Sequence, residues 1–383
     1  MFEFRDRVVY IISPEQWGDM KISKHHYSLE LADRGCRVFF IEPPSLDNRG
    51  ISVRPCKDHP GIGLVSYKPV YRGKRLLPSG IFKLLLRWQI RLLRKSIGHP
   101  PDVVWCFHGY LFEDLKPFGA PVNIYFAADL FNYDHNPPEI DSATVTMAVS
   151  DTIHQRIAAA GHTVHLIKHG VSRPFAVSAE RLLRERPQRV AGERVKAGFV
   201  GNLRMEAIDR VTVMNVIRDN PDVDFLFWGS YKSRDMNLGG LHSEEADAFI
   251  RFLEESGNVE LRGVLDTAKL NEEMKMADFF WLCLQIGNRR MWDGSNSHKI
   301  LEYLSTGKPI VAHFVSSYKD TDLLYMMPTT DNAGYPKLFR EVVELIWKGE
   351  DPSKAEARLR EAVSNTYSNH ISRIEGIVRQ GLG

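Results

Sequence analysis

Cysteine is scarce and scattered in this chain: Cys36, Cys56, Cys106 and Cys283 are the only four among 383 residues. Their spacing matches neither a metal-binding nor a redox pair, so they read as reduced core residues of a cytoplasmic protein. Long apolar runs are missing too. No stretch approaches the roughly 18 residues needed to cross a bilayer, and the first apolar run, Val8–Ile12, is too short for the hydrophobic part of a secretion signal. The sequence therefore predicts neither export nor membrane insertion. An excess of one charge is also lacking. The net charge of +2 gives no global attraction to nucleic acid, so a charged partner must be sought in local clusters. No Gly-x-Gly-x-x-Gly follows the first strand, where only Gly18 precedes the helix, which disfavours a dinucleotide-dependent oxidoreductase. The adjacent His25 and His26 cannot share a helix face and lack His-x-x-x-His spacing, so no metal site is expected there.

One absence is local. Residues 59–101 contain no Asp or Glu while carrying nine Lys and Arg, and they include a helical pattern over residues 81–97. On that helix Lys83, Arg87, Arg91, Arg94 and Lys95 share one side, and Phe82, Leu85, Leu86, Leu93 and Ile97 lie elsewhere. Two readings stay open. Either a core-packed helix has a solvated basic stripe, or the stripe holds an anionic membrane surface or an anionic acceptor.

What is present is a soluble globular composition, 43% hydrophobic and 26% charged, in a chain long enough for two domains. Short buried strand patterns alternate with helical ones. Val8–Ile12 leads through a loop containing Trp17 and Gly18 to a helix over residues 23–34 and a strand over 37–42, a βαβ unit. Further strands over 103–107 and 122–127 end at His108 and near Asp129, on the edge where doubly wound sheets bind ligands. Residues 176–196 are charged and lack a strand pattern, which marks a linker or connecting helix. A second series follows, with strand tips at Gly201-Asn202-Leu203-Arg204, Gly229-Ser230 and Gly263-Val264-Leu265. The expected fold is α/β, with two Rossmann-like domains facing each other across a cleft. The expected boundaries are 1–172, a linker 173–195, 196–355, and a final helix 356–383 returning to the first domain.

Residues 293–311 say most about chemistry. Small polar residues precede Ile300, Leu301 and Leu304 at helical spacing, so a helix is predicted from about Ser297. Gly307 stops it, and Pro309 introduces a strand. A polar loop at a helix start offers unpaired N–H groups to phosphate oxygens. Lys299 adds a charge, and Glu302, one turn on, suits the vicinal hydroxyls of a ribose. The pattern describes a nucleotide site, or else a capped helix with a solvated Lys and Glu.

The run Ser297-x-Lys299-x-x-Glu302-Tyr303-Leu304-x-x-Gly307-Lys308-Pro309-Ile310-Val311 resembles the donor motif of GT-B fold glycosyltransferases. It resembles especially the large retaining family 4 of bacterial glycan-building enzymes. The likeness extends over most of the chain, through Phe199-Val200-Gly201-x-Leu203, Ala277-Asp278, and the Ser150-Asp151 helix followed by His169-Gly170-Val171, where His169 stands in the place of a usual Asn. In that family the second glutamate of a pair separated by seven intervening residues grips the donor ribose, and the resemblance places it on Glu302. The first glutamate falls on Gly294, with Asp293 or Asn296 as the replacements available. A basic pair after the first strand of the second domain grips the diphosphate, which implies Arg204 and Arg210. Gly201, Asn202, Gly229, Leu265, Ser297, His298 and Lys299 complete the implied donor set. His108 and Asp129, together with Asp293, are the implied catalytic groups. Trp17, in the loop with Gly18 after the first strand, reads as an acceptor-ring contact or as a local packing residue, with Gly18 beside it as an acceptor contact.

The resemblance implies sugar transfer from a nucleoside-diphosphate sugar to a hydroxyl acceptor in glycan or glycolipid synthesis. Positive side chains would stabilise the departing diphosphate, with no cofactor and no essential metal. The work would be done in the cytoplasm or at the inner face of the membrane, and no nucleic-acid partner is implied. Two rivals remain: a sugar-nucleotide epimerase of the same fold, and a non-catalytic nucleotide-sugar sensor, which the glycine at 294 keeps open.

Overall fold

The computed structural model describes residues 2–18, 21–71, 78–128, 136–185, 193–232, 243–286 and 298–382. They form two compact α/β units, one of Met1–Lys168 with Tyr367–Gly383 and one of His169–Thr366.

The first unit runs β1 (Val8–Ile12), α1 (Ser23–Asp33), β2 (Arg37–Ile41), β3 (Ile51–Pro55), β4 (Ile62–Tyr67), α2 (Ser79–Ile97), β5 (Val103–Cys106), β6 (Val122–Ala127), β7 (Val145–Ala148), α3 (Asp151–Ala159) and β8 (His165–Leu166). The sheet order is β3-β4-β2-β1-β5-β6-β7-β8. Every pairing is parallel except β3 with β4. The central strands are buried at nearly every position because a parallel sheet is covered on both faces. Strands β3 and β4 were not expected. β3 is an antiparallel edge strand, largely exposed, with polar Ser52 and Arg54 before Pro55, so it carries no apolar run.

The second unit contains α4 (Arg173–Glu185), β9 (Val195–Val200), α5 (Arg210–Asp219), β10 (Val223–Trp228), α6 (Glu244–Glu255), β11 (Val259–Gly263), α7 (Thr267–Glu273), β12 (Phe279–Leu282), α8 (His298–Leu304), β13 (Ile310–Ala312), β14 (Tyr325–Met326), α9 (Tyr335–Lys348) and α10 (Pro352–Ser364). Its sheet, β11-β10-β9-β12-β13-β14, is parallel throughout. Trp281 and Phe225 meet Phe339 of α9 in its core.

Two segments differ from the expected boundaries. Residues 173–185 of the expected linker form α4, which buries Phe175, Ala176 and Ala179 and packs on α7 and α10 within the second unit. The expected final helix is two helices. α10 stays in the second unit, and only α11 (Tyr367–Gly381) belongs to the first. There α11 packs on α1: the Tyr27 hydroxyl lies 3.1 Å from His370 Nδ1, Arg34 donates to the Ser368 carbonyl at 2.7 Å, and Glu375 accepts the Phe4 N–H at 2.9 Å.

Each unit holds a histidine that burial pushes down to about 4, His25 in the first and His313 in the second. His25 accepts the Ile22 N–H and stacks on Phe40, while His313 donates from Nδ1 to the Leu282 carbonyl. Above pH 6.5 both are neutral whether folded or not, and stability is unaffected. As pH falls from 6.5 toward 4, only the unfolded imidazoles take up protons, so folding weakens by roughly 3 kcal/mol per histidine. Urea midpoints measured between pH 7.5 and 4 should therefore fall, and His313→Gln should flatten the slope for the second unit.

Candidate functional site

The carboxyl edge of the second sheet is built around two strand tips in close contact. Beyond β9 the chain turns through Gly201, and beyond β10 through Gly229, whose φ is +136°. The Gly201 N–H donates to the Trp228 carbonyl at 2.9 Å and the Leu203 N–H to the Ser230 carbonyl at 2.8 Å. A side chain on Gly229 would place its Cβ 1.9 Å from the Gly201 carbonyl oxygen. Glycine is therefore required for the tips to meet. Asn202 accepts the Arg204 N–H at 3.0 Å and closes this turn.

Helix α8 is tied to the same place by a residue that the sequence reading passed over. Tyr303, buried and stacked on Phe280 at 4.6 Å, accepts the Val200 N–H at 2.7 Å and donates to the Val200 carbonyl at 3.3 Å. Burial of the ring raises its pKa, so it stays a neutral donor and acceptor. The anchor fixes Lys299, one turn earlier on the helix, and Glu302, the residue before Tyr303, relative to the β9 tip. These two pair at 3.2 Å, with side chains 22% and 13% exposed. Of the neighbouring positions, the backbone of His298 opens α8, while Ser297, Asn296, Gly294 and Asp293 lie outside the described residues.

The two arginines occupy a different setting from the one expected. Arg204 is buried and paired with Asp247, and Arg210 is buried, paired with Glu245 at 3.1 Å and bonded to the Met205 carbonyl. Both carboxylates lie in the first turn of α6. A buried guanidinium needs such partners, so α6 supplies counter-charges that the sequence alone did not connect to the site. Arg210, expected to grip the diphosphate, is held by Glu245 and the Met205 carbonyl. Leu265, after β11, is partly buried against the core.

In the first unit His108 is half-buried at the end of β5, its Nδ1 3.0 Å from the Gly109 carbonyl. The loop beyond it is held by a second residue missed in the sequence. Glu139, fully buried, accepts the N–H groups of Tyr110, Phe112 and Glu113 at 2.9, 3.1 and 3.1 Å, which stabilises positive φ at Tyr110 and Glu113. Asp129 lies outside the described residues. Gly18 is exposed, with open space about its Cα. Of the two readings of Trp17, acceptor contact or local packing residue, its surroundings match packing. It is 9% exposed, its indole N–H donates to Asp58 at 2.7 Å, and its ring packs edge-on to Phe40 and His25. The four cysteines are free and buried, and among the described residues no helix is long and apolar enough to cross a membrane.

No protein-family model and no curated protein sequence matches the chain. Solved structures do. A glycosyltransferase from Rickettsia africae is 12% identical with a TM-score of 0.64, covering 98% of this chain and 99% of that one. Sucrose-phosphate synthase from Thermosynechococcus elongatus is 12% identical with a TM-score of 0.62, covering 98% of each. HepE from Anabaena, solved with UDP and glucose, is 12% identical with a TM-score of 0.61, covering 97% of this chain and 99% of that one. The two mainly parallel sheets and the full-length match to these proteins identify the architecture of this chain as the GT-B glycosyltransferase fold.

Proposed function

We propose that this chain is a glycosyltransferase that moves a sugar from a nucleoside-diphosphate donor to a hydroxyl acceptor in glycan or glycolipid synthesis, in the cytoplasm. The observation that carries the reading is the anchoring of α8 by Tyr303 to the β9 tip, which sets Lys299 and Glu302 at the ligand edge of the second sheet. HepE, a protein of the same fold, binds UDP and glucose, and UDP is the nucleotide to test first. In the proposed complex Glu302 exchanges its Lys299 partner for the ribose hydroxyls, and the released Lys299 turns to the diphosphate. Leaving-group charge is then balanced by a side chain already in place, without a cofactor or an essential metal, and with retention at the sugar carbon. His108, with its Nδ1 directed to Gly109, keeps Nε2 available to the acceptor hydroxyl.

Calorimetry separates the two roles. Glu302→Gln replaces charge-assisted bonds worth about 1.5 to 3 kcal/mol, so it should weaken both uridine and UDP by roughly tenfold to a hundredfold. Lys299→Ala should leave uridine binding unchanged, weaken UDP, and lower turnover further because charge grows on the leaving group. If Glu302→Gln binds uridine like the parent protein, the ribose role is wrong. A non-catalytic nucleotide-sugar binder is the second reading, favoured by the glycine at position 294. Nucleotide release from the donor without acceptor would exclude it.

A further inference from the structure

Helix α2 presents an unusual outer face. Its inner side buries Phe82, Leu86, Gln89, Ile90, Leu93 and Ile97. Three large apolar residues on the opposite side, Ile81, Leu84 and Trp88, are 51%, 67% and 51% exposed, and at spacings of three and four residues they form one stripe. Lys83, Arg87, Arg91 and Lys95 are also exposed, and among the described residues none of the four forms an ion pair. The helix contains no acidic residue. On one flank Glu113, Asp114 and Asp141 share a cavity of about 330 Å³ with Lys83 and Arg87. Arg91 and Lys95 lie beyond that cavity.

A solvated basic stripe accounts for the lysines and arginines but not for a tryptophan and a leucine left in water among them. A membrane-spanning role is excluded by the charges. Apolar residues that reach outward between cations, on a helix without acids, have the chemistry of a surface that lies in a lipid headgroup layer. We propose that α2 docks the protein on an anionic bilayer, with Ile81, Leu84 and Trp88 entering the headgroup region and Lys83, Arg87, Arg91 and Lys95 meeting lipid phosphates. This is independent of the glycosyl-transfer reading, because it is tested with no donor or acceptor present.

The test is co-sedimentation of the full chain with phosphatidylcholine vesicles, with and without phosphatidylglycerol. The parent protein should partition onto the anionic vesicles only, and added salt should weaken the binding. Leu84→Glu with Trp88→Glu should reduce partition by at least about tenfold with an unchanged thermal melt, since both residues are exposed. Arg91→Gln with Lys95→Gln should reduce it as well. Trp347→Glu, on the exposed face of α9 in the other unit, should have no effect. Equal binding to neutral and anionic vesicles, or binding to neither, would overturn the proposal. So would light scattering that shows a dimer broken by the Leu84 and Trp88 changes without any vesicle binding, since a second copy would then be what covers the face.

Discussion

Gly229→Ala should cost the second domain at least about 4 kcal/mol and abolish nucleotide binding with it. The new Cβ would lie 1.9 Å from a backbone oxygen, that of Gly201, so no side chain can swing away to make room. The tips of β9 and β10 would have to part. Holding an L-residue at positive φ costs about 1–3 kcal/mol. The three bonds at risk, Gly201 to Trp228, Leu203 to Ser230 and Gly229 to Gly263, add roughly 1 kcal/mol each. Gly161 provides the control. It has φ +87° but nothing within 4 Å of its would-be Cβ, so Gly161→Ala bears the backbone penalty alone. Urea unfolding of the two variants should differ accordingly, and similar midpoints would show that the strand tips give way more easily than their geometry implies.

Arg358→Ala should destabilise the same domain by about 3 to 5 kcal/mol, the cost of stranding a buried partner charge. The guanidinium is fully buried, binds both Glu350 oxygens at 2.6 Å, and donates to the Leu323 and Gly307 carbonyls at 2.9 and 3.2 Å. Removing it leaves Glu350, itself 11% exposed, with only the Tyr325 hydroxyl among these partners. Arg358→Met with Glu350→Met, which removes both charges, should recover part of the loss. The effect reaches the site because Gly307, at φ +70°, ends the turn that closes α8. Nucleotide affinity should therefore fall in Arg358→Ala even at temperatures where the domain remains folded. Affinity unchanged from the parent protein would show that α8 is held by Tyr303 alone.

The strand series was legible in the sequence because a strand covered on both faces must be apolar at nearly every position, as Val8–Ile12 and Val122–Ala127 are. The β3–β4 hairpin was not, since an exposed edge strand such as Ile51–Pro55 has no such requirement. α4 was read as a linker or connecting helix rather than as part of a core because its charged residues mask a buried face of only Phe175, Ala176 and Ala179. The stretch proposed to hold the donor stood out through Lys299, Glu302 and Gly307. Tyr303 lay inside it unread, for its role depends on contact with Val200, a hundred and three residues away in sequence. The arginines illustrate the same boundary. Arg204 was visible as a charge, but that Asp247 neutralises it follows only from the packing of α6 beside the β9 tip.

Helix α11 completes the first domain from the far side of the second in sequence. On the ribosome the face of α1 that carries Tyr27 must wait, uncovered, while the whole second domain is made, for roughly ten to forty seconds at ordinary elongation rates. The second domain can therefore finish folding while the first is still open. The order of maturation is then the reverse of the order of synthesis, and the waiting α1 face is the surface most exposed to chaperones and to self-association in the nascent chain.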